Sequence, residues 1–338
     1  MGERLLTVKN LKTYFSLASG TVKAVDGVSF TLDKGEILGI VGESGCGKSV
    51  TASSIIRLLP PKIGNIVDGE INFEGRDVRA LSGKELLKFR GRDISMIFQN
   101  PMTSLDPVFK IGSQMVEMIR THHSEISREE ALKISIEALR KVGIPNPESR
   151  INSYPYELSG GMCQRVIIAM AICCEPKMMI ADEPTTALDV TVQSQVLKLL
   201  RGLQKEKGVV ILMITHNLGI VWEMCDSVMV MYAGKTVEYT SAKELYRNPL
   251  HPYTWGLLDS MPKLSDDTNK RLVAIDGMPP DLRLTGTCCN FYNRCPYASP
   301  ICMEKVPELT ETEPGHFVAC HRQNGKTALK RGERNGGN

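Results

Sequence analysis

Short apolar runs bounded by turn residues recur along this chain and predict buried strands. The clearest run, at residues 36–41, reads Glu-Ile-Leu-Gly-Ile-Val, whereas the stretch that begins at Ser49 repeats its apolar residues at helical spacing. Other strands are predicted at residues 5–8, 69–73, 177–181, 209–214 and 227–232. Because strands alternate with helices, the pattern favours an α/β fold with a mixed or parallel sheet at its core.

A helical pattern dominates the middle of the chain. Residues 129–142 place apolar side chains at the spacing of an amphipathic helix, and the whole span 99–164 is interpreted as helical. No internal repeat is evident in the sequence. The pattern therefore predicts one α/β core with one inserted helical segment.

A glycine-rich segment joins the buried run at 36–41 to the helix that follows it. It reads Gly42-Glu43-Ser44-Gly45-Cys46-Gly47-Lys48-Ser49, which fits the spacing and context of a nucleotide-binding P-loop. Glycines let backbone N–H groups turn toward phosphates, and the helix directs its positive dipole end at the same anion. Lys48 adds a positive charge, and the Ser49 hydroxyl is a hard oxygen ligand for Mg²⁺. The residues predicted to bind the nucleotide here are Gly42, Ser44, Gly45, Gly47, Lys48, Ser49 and Val50.

Further polar segments follow the P-loop in a fixed order. Singly, each has an ordinary explanation, because an Asp-Glu pair is usually a solvated turn, a lone histidine a surface residue and Ser-Gly-Gly a loop. Together they resemble the ATP-binding cassette (ABC) family, the motor subunits of ABC transporters, which implies a P-loop NTPase fold with an inserted helical subdomain. The segments are Leu158-Ser159-Gly160-Gly161-Met162-Cys163-Gln164-Arg165, Ala181-Asp182-Glu183-Pro184, Ala187-Leu188-Asp189 and Ile214-Thr215-His216.

Residue chemistry and the resemblance together assign roles in hydrolysis. Asp182 ends an apolar strand where a carboxylate is wanted in the second shell of Mg²⁺, and Glu183 beside it can polarise the attacking water. The resemblance implies that Gln99 contacts Mg²⁺ and senses the membrane partner. It also implies that His216 holds the γ-phosphate and that Asp189 belongs to the D-loop.

Two further contacts to the nucleotide are expected. Ser159, Gly160 and Gly161 precede an apolar helix start at 166–172 and offer a second anion-binding helix N-terminus. In the family that terminus contacts the γ-phosphate held by a partner subunit, so one chain cannot complete its own site. Tyr14 and Phe15 stand where the family's early aromatic stacks on adenine; alignment favours Phe15, and packing of the ring into the core is the alternative.

The resemblance divides the chain into three parts. Residues 1–98 and 165–240 correspond to the ATP-binding core, 99–164 to the helical subdomain, and 241–338 to a small cysteine-rich C-terminal extension. The segment 248–254, Asn-Pro-Leu-His-Pro-Tyr-Thr, resembles the motif of that extension in oligopeptide and dipeptide transporter ATPases. Residues 99–108 and 181–193 are also typical of that branch.

Five of the ten cysteines lie in the extension. Clustered cysteines in a reducing cytosol are more often metal ligands or inert buried thiols than disulfides. Cys289, Cys295, Cys302 and Cys320 match the family's four-cysteine pattern, which implies a [4Fe–4S] cluster. Tetrahedral Zn²⁺ is the alternative, disfavoured because the spacings of six, seven and eighteen lack close Cys-x-x-Cys pairs. Cys288 leaves open which of the adjacent pair is the ligand.

Composition sets limits on partners and location. The formal net charge of +3 is too small to indicate nucleic acid, and the basic segment 326–334 is interpreted as a solvated end. No run of 18 apolar residues and no signal peptide is evident, so membrane association is expected through a partner. Cys46 lies in an electropositive loop, where a thiol pKa falls, although a small inert buried side chain is the favoured interpretation.

The function implied by the resemblance is that of an ATPase subunit of a di- or oligopeptide importer at the cytoplasmic face of the membrane. Its expected partners are a second ABC ATPase subunit, two integral membrane permease subunits and an extracytoplasmic substrate-binding protein. A heterodimer of ATPase chains is expected, with a homodimer as the alternative. Nickel and oligosaccharide importers share this branch, and a soluble, non-transport ABC ATPase is a more distant alternative.

Overall fold

The computed structural model describes residues 3–185, 188–261, 275–323, 329 and 331, and their contacts group them into two units. The first unit comprises Asp33–Glu36 and Ala80–Met213, together with the start of the chain. The second comprises Arg4–Leu32, Ile37–Arg79 and the residues from Ile214 onward. Most of the basic segment 326–334 lies outside the described residues.

The strands of the described residues are numbered in chain order. They are β1 (Arg4–Leu17), β2 (Gly20–Asp33), β3 (Ile37–Val41), β4 (Gly64–Phe73), β5 (Arg76–Asp77), β6 (Ile94–Ile97), β7 (Met178–Asp182), β8 (Val210–Ile214), β9 (Ser227–Tyr232), β10 (Lys235–Ser241), β11 (Thr310–Glu313) and β12 (His316–Val318).

The helices follow the same convention. They are α1 (Lys48–Ile55), α2 (Gly83–Lys88), α3 (Pro101–Ser104), α4 (Ile111–His122), α5 (Arg128–Lys141), α6 (Pro147–Arg150), α7 (Gly160–Cys173), α8 (Val190–Lys207), α9 (Leu218–Met224), α10 (Ala242–Arg247), α11 (Pro252–Asp259) and α12 (Pro300–Glu304). Single helical turns occur at Val78–Ala80, Pro155–Glu157 and Tyr292–Arg294.

The second unit contains two groups of hydrogen-bonded strands. One has the order β2-β1-β4-β5, with β1 and β4 antiparallel. The other has the order β11-β12-β10-β9-β3, in which β3 and β9 are parallel and the remaining pairs antiparallel. Every residue of β3 is buried, as expected for a parallel strand covered on both faces. The P-loop therefore starts from a fully buried strand.

The first unit combines the strands β8-β7-β6 with the helices α2 to α8. The β6 and β7 strands are parallel, and Ile97 lies opposite Ala181. The helix α5 is N-capped by Ser127, whose hydroxyl accepts a hydrogen bond from Glu130 N, and acidic residues occupy its first turn. Its buried Ala131 packs against Val116 and Ile119 of α4.

The predicted elements differ from the observed ones mainly at polar segments. The helix α7 begins at Gly160 rather than near residue 166, because Ser159 caps it and accepts a hydrogen bond from Met162 N. The strands β10, β11 and β12 were not anticipated from apolar periodicity. No helix among the described residues is both long and apolar enough to cross a membrane.

Candidate active site

The P-loop follows β3 and runs into α1, which begins at Lys48. Two of its glycines are required by close backbone contacts. A Cβ on Gly42 would lie 2.2 Å from the carbonyl oxygen of Met231, and one on Gly47 would lie 2.2 Å from that of Ala24. Both glycines also adopt positive φ, 151° and 107°, in the region that side chains disfavour. Any larger residue would therefore displace the loop.

Lys48 is the buried cation of this loop. Its side-chain Nζ donates to the carbonyl oxygens of Gly42, at 2.8 Å, and Glu43, at 2.9 Å. Only 6% of Lys48 is exposed. By contrast, Ser44, Gly45 and Ser49 are exposed, so the outer face of the loop is open to a ligand while its ammonium group is fixed from within.

Glu43 is tied to the C-terminal extension through both its backbone and its side chain. Its backbone N–H donates to the Tyr253 hydroxyl at 2.8 Å. Its two carboxylate oxygens accept hydrogen bonds from the two terminal nitrogens of Arg294, at 2.7 and 2.9 Å. This bidentate, charge-assisted geometry is the strongest form of the Arg–carboxylate pair.

Arg294 is itself anchored on several sides. Only 5% of its side chain is exposed, and it donates to the Tyr232 hydroxyl and to the backbone carbonyls of Ile275 and Asp276. The hydrogen bonds to Glu43 raise the pKa of Arg294 above its usual range. The P-loop and residues 275–294 thus lie in one compact unit. The sequence placed them in different domains, with a boundary at residue 241. The domain boundaries stay a prediction.

Cys46 is a small buried side chain. It is 5% exposed, and burial raises the pKa of its thiol although Lys48 acts in the opposite direction. The lowered thiol pKa considered for this position is therefore wrong. The inert interpretation of Cys46 fits the structure.

The two candidate adenine-binding aromatics lie on opposite faces of β1. Thr13 hydrogen bonds with Ser54 of the P-loop helix α1, at 2.8 Å between hydroxyl oxygens. Because side chains alternate along a strand, Phe15 shares that face with Thr13. Tyr14 points to the other face, where its hydroxyl donates to Asp26 and where burial raises its pKa to about 12.

In the first unit, Gln99 and Glu183 follow the neighbouring parallel strands β6 and β7. The Gln99 amide donates to the Glu183 carboxylate at 2.8 Å. Glu183 adopts a φ of 47°, in the left-handed region, which is uncommon for a residue with a side chain. Asp182 beside it is 5% exposed. The structure therefore brings together the predicted water-polarising carboxylate and the predicted glutamine.

The remaining predicted residues lie at helix starts or in an exposed turn. Ser159 caps α7, and Asp189 caps α8 by accepting from Val192 N at 2.9 Å. Ser159 and Gly160 are exposed, as an anion-binding helix N-terminus would need to be. His216 is exposed just after β8.

Four cysteines of the extension surround one small cavity. Cys289, Cys295, Cys302 and Cys320 all line it, and Cys288 does not. Burial raises the pKa of Cys289 to about 11 and that of Cys295 to about 12. The segment therefore collects the four predicted thiols and distinguishes Cys289 from its neighbour.

Two family models match this sequence. Residues 25–186 match the model described as ABC transporter, and residues 237–302 match the C-terminal region of oligopeptide/dipeptide transporters. The oligopeptide transport ATP-binding protein OppD of Bacillus subtilis is 50% identical over 93% of this chain and 88% of its own length. The dipeptide transport ATP-binding protein DppD of the same bacterium is 48% identical over 95% of each chain.

The chain belongs to the ATP-binding cassette family. Solved structures agree: the dimeric ATP-binding cassette MJ0796, in a post-hydrolysis state with ADP and Pi, matches with a TM-score of 0.63 and 26% identity. That match covers 70% of this chain and 98% of the other. The predicted ABC fold is confirmed, and as a family member the chain is an ATP-hydrolysing transporter subunit.

Arg294 and Tyr253 are the main residues of this ABC ATPase that sequence reasoning missed. Tyr253 lies inside the 248–254 motif. The sequence identified this motif but gave no role to its residues. Arg294 precedes Cys295, and nothing in the sequence around it distinguishes it from an arginine exposed at the surface. Its partner Glu43 is 251 positions away, a separation that no local pattern reveals.

We expect Arg294→Gln to destabilise the P-loop. Loss of two charge-assisted bonds should lower the free energy of unfolding by about 2–3 kcal/mol, and the released Glu43 carboxylate should weaken ATP binding. Arg283→Gln is the matched control, because Arg283 forms an exposed ion pair with Asp281 in the same extension. Thermal unfolding and ATP titration of the full chain measure both effects; equal behaviour of the two variants would refute the anchoring role.

Proposed function

We propose that this ABC ATPase drives a membrane importer of di- and oligopeptides. The observation that carries the proposal is the match of residues 237–302 to the C-terminal region of oligopeptide/dipeptide transporters. The relatives named for oligopeptide and dipeptide transport support it over almost the whole chain. The extension also supplies the contacts that fix the P-loop, which links the branch-specific segment to the ATPase reaction.

The assembly that follows has two ATPase subunits, two integral permease subunits and an extracytoplasmic substrate-binding protein. The chain works peripherally at the cytoplasmic face of the membrane, where its permease partners hold it. A dimeric cassette among the matching structures supports pairing of ATPase subunits. We propose a heterodimer, with the homodimer as the alternative.

The proposed chemistry divides between phosphate binding and activation of water. In the second unit, the P-loop N–H groups and Lys48 bind the phosphates, and Ser49 ligates Mg²⁺. In the first unit, Asp182 and Gln99 would support Mg²⁺, and Glu183 is the proposed general base. The 2.8 Å bond from Gln99 to Glu183 supports these two roles, because it orients the carboxylate.

Other residues complete the proposed nucleotide site. His216 and the exposed helix start at Ser159, Gly160 and Gly161 contact the γ-phosphate, the latter in the partner subunit. Asp189 lies in the adjoining D-loop as the cap of α8. Phe15 is proposed as the adenine-stacking residue over Tyr14, because it shares its strand face with the contact to α1.

Isolation of the intact complex tests the transport function. The tagged chain should bring down integral permease subunits from detergent-solubilised membranes, and binding protein loaded with a peptide should stimulate ATP hydrolysis. Binding protein loaded with nickel or an oligosaccharide is the control for the related importers. Stimulation by either control alone would reassign the substrate, and absence of integral subunits would favour a soluble ABC ATPase.

Two variants separate binding from hydrolysis in that complex. Glu183→Gln should keep ATP affinity and trap a nucleotide-bound dimer while kcat falls by orders of magnitude, because the general base is lost. Lys48→Ala should instead raise the Kd for ATP, because the phosphate charge is lost. Glu206→Gln, an exposed change in α8, is the control. Equal ATP affinities of the two site variants, or near-normal turnover of Glu183→Gln, would contradict the assignment.

We also propose that the four cysteines lining the cavity bind a [4Fe–4S] cluster. Four thiolates are the usual ligand set for such clusters. The four cysteines line one cavity, and their spacings of six, seven and eighteen residues lack the close Cys-x-x-Cys pairs common in zinc sites. That pattern supports the cluster over zinc.

Burial of these thiols determines how much the proposed cluster would contribute to folding. Because the raised pKa values keep Cys289 and Cys295 protonated at neutral pH, their deprotonation depends on the charge of the bound group. The bound group then contributes to the folding of a segment rich in turns. It would hold Cys295 and therefore the neighbouring Arg294 in place.

Anaerobically purified protein should be brown and contain about four iron atoms per chain. Cys302→Ser should bleach it and expose the extension to protease, and ATP binding should weaken because Arg294 shares that segment with the cluster. Cys288→Ser is the matched control and should remain brown, since Cys288 does not line the cavity. Colourless protein with one zinc per chain would overturn the cluster.

A further inference from the structure

A second group of potential metal ligands lies outside the cysteine cavity, where α10 meets the β11–β12 hairpin. It consists of Glu244 of α10, Glu313 at the end of β11 and His316 at the start of β12. One potential ligand atom from each lies within 4.8 Å of the others. None of the three belongs to the proposed site of ATP hydrolysis.

The protonation pattern of His316 follows from Glu238, the buried carboxylate beneath it. One oxygen of Glu238 accepts from Leu250 N at 2.7 Å and contacts His316 Nε2 at 2.8 Å. The other accepts from His251 N and the Thr254 hydroxyl. Because a carboxylate with these donors is an acceptor only, Nε2 of His316 must carry the proton.

The other ring nitrogen of His316 is left with an unused position. His316 is 1% exposed, and its Nδ1 has no hydrogen-bond partner within the described part of the chain. Buried polar atoms are normally satisfied, so an orphaned nitrogen requires an explanation. Its neighbours Glu244 and Glu313 are acidic, and a carboxylate oxygen of each lies within 4.8 Å of a ring nitrogen of His316, so a cation would be stabilised among the three.

The two carboxylates are positioned independently of that cation. The Asn248 amide donates to both oxygens of Glu313, at 3.2 and 3.1 Å, and so orients the carboxylate. Ser241 caps α10 by accepting from Glu244 N, which fixes the backbone from which Glu244 projects. A histidine that donates one N–H to a carboxylate while its other nitrogen faces further ligands is the usual arrangement at metal sites.

We propose that His316 Nδ1, Glu244 and Glu313 bind one Zn²⁺ ion, with Glu238 orienting the histidine. One imidazole and two carboxylates suit Zn²⁺, which takes nitrogen and oxygen ligands at about 2.0–2.2 Å, whereas Mg²⁺ and Ca²⁺ prefer oxygen alone. Water completes the coordination, since three protein ligands leave a position open. The ion joins α10 to the hairpin that leads directly into Cys320.

Zinc binding to the full-length chain tests this site. After equilibrium dialysis, metal analysis should find one Zn²⁺ that survives in Cys302→Ser and is therefore independent of the cysteine cavity. Glu244→Gln and Glu313→Gln should each weaken it by at least about tenfold, the lower end of the effect of altering metal-site residues. Glu308→Gln, an exposed change in the preceding segment, should bind as the unaltered protein does.

Thermal unfolding provides a second measurement and controls for folding. Zn²⁺ should raise the Tm of the unaltered protein and of Glu308→Gln but not of Glu313→Gln, while all three still bind ATP. Zinc affinity unchanged in both glutamine variants, or lost only in Cys302→Ser, would overturn the proposal. The proposal would also be overturned if the protein bound no zinc and NMR spectra showed a proton on His316 Nδ1. A proton, rather than a metal ion, would then occupy the position.

Discussion

The P-loop of this ABC ATPase depends on an ion pair that reaches it from the C-terminal extension. A phosphate-binding loop must hold its N–H groups in a fixed concave shape, and its three glycines at positive φ cannot enforce that shape because glycine is the most permissive residue. Glu43 supplies the constraint, since its N–H is held by Tyr253 and its carboxylate by the buried Arg294. The extension is therefore part of the nucleotide-binding site, because the contacts of Tyr253 and Arg294 with Glu43 hold both the extension and the P-loop in place.

The extension in turn depends on one buried carboxylate of the sheet. Glu238 is fully buried, and burial of a charge is costly unless hydrogen bonds replace its water. The N–H groups of Leu250 and His251 and the Thr254 hydroxyl, all within the 248–254 motif, provide that replacement together with His316. Phe291 then packs edge-on against Tyr232 and Tyr253. The motif is thus explained by its chemistry: it satisfies Glu238 and directs Tyr253 toward the P-loop.

Sequence reasoning succeeded where the signal is local. The strand β9 has its predicted bounds, and the bounds of β3 and α5 lie within one residue of the predicted ones. The P-loop lies between a strand and a helix, as predicted. These features were predictable because buried strands and amphipathic helices have a hydrophobic pattern that is visible in a short window of sequence. The strands β11 and β12 are short and largely polar, so pairing with β10 rather than periodicity defines them. Similarly, the ion pair of Glu43 with Arg294 follows from tertiary packing, and the sequence around neither residue indicates it. The early start of α7 reflects a cap on polar residues that apolar spacing does not detect.

The cysteines show why residue type and motif position do not fix chemistry. Cys46 stands in the P-loop two residues before Lys48, yet it is enclosed beside Tyr253 and its pKa rises, because burial outweighs one neighbouring ammonium. Burial also raises the pKa of Cys289 and of Cys295, so each is unfavourable as a thiolate when considered singly. They differ from Cys46 in that they line one cavity together with Cys302 and Cys320, so a metal centre bound there would offset the cost of deprotonating them. The convergence of several thiols, which the fold provides, distinguishes a candidate ligand from an isolated buried thiol.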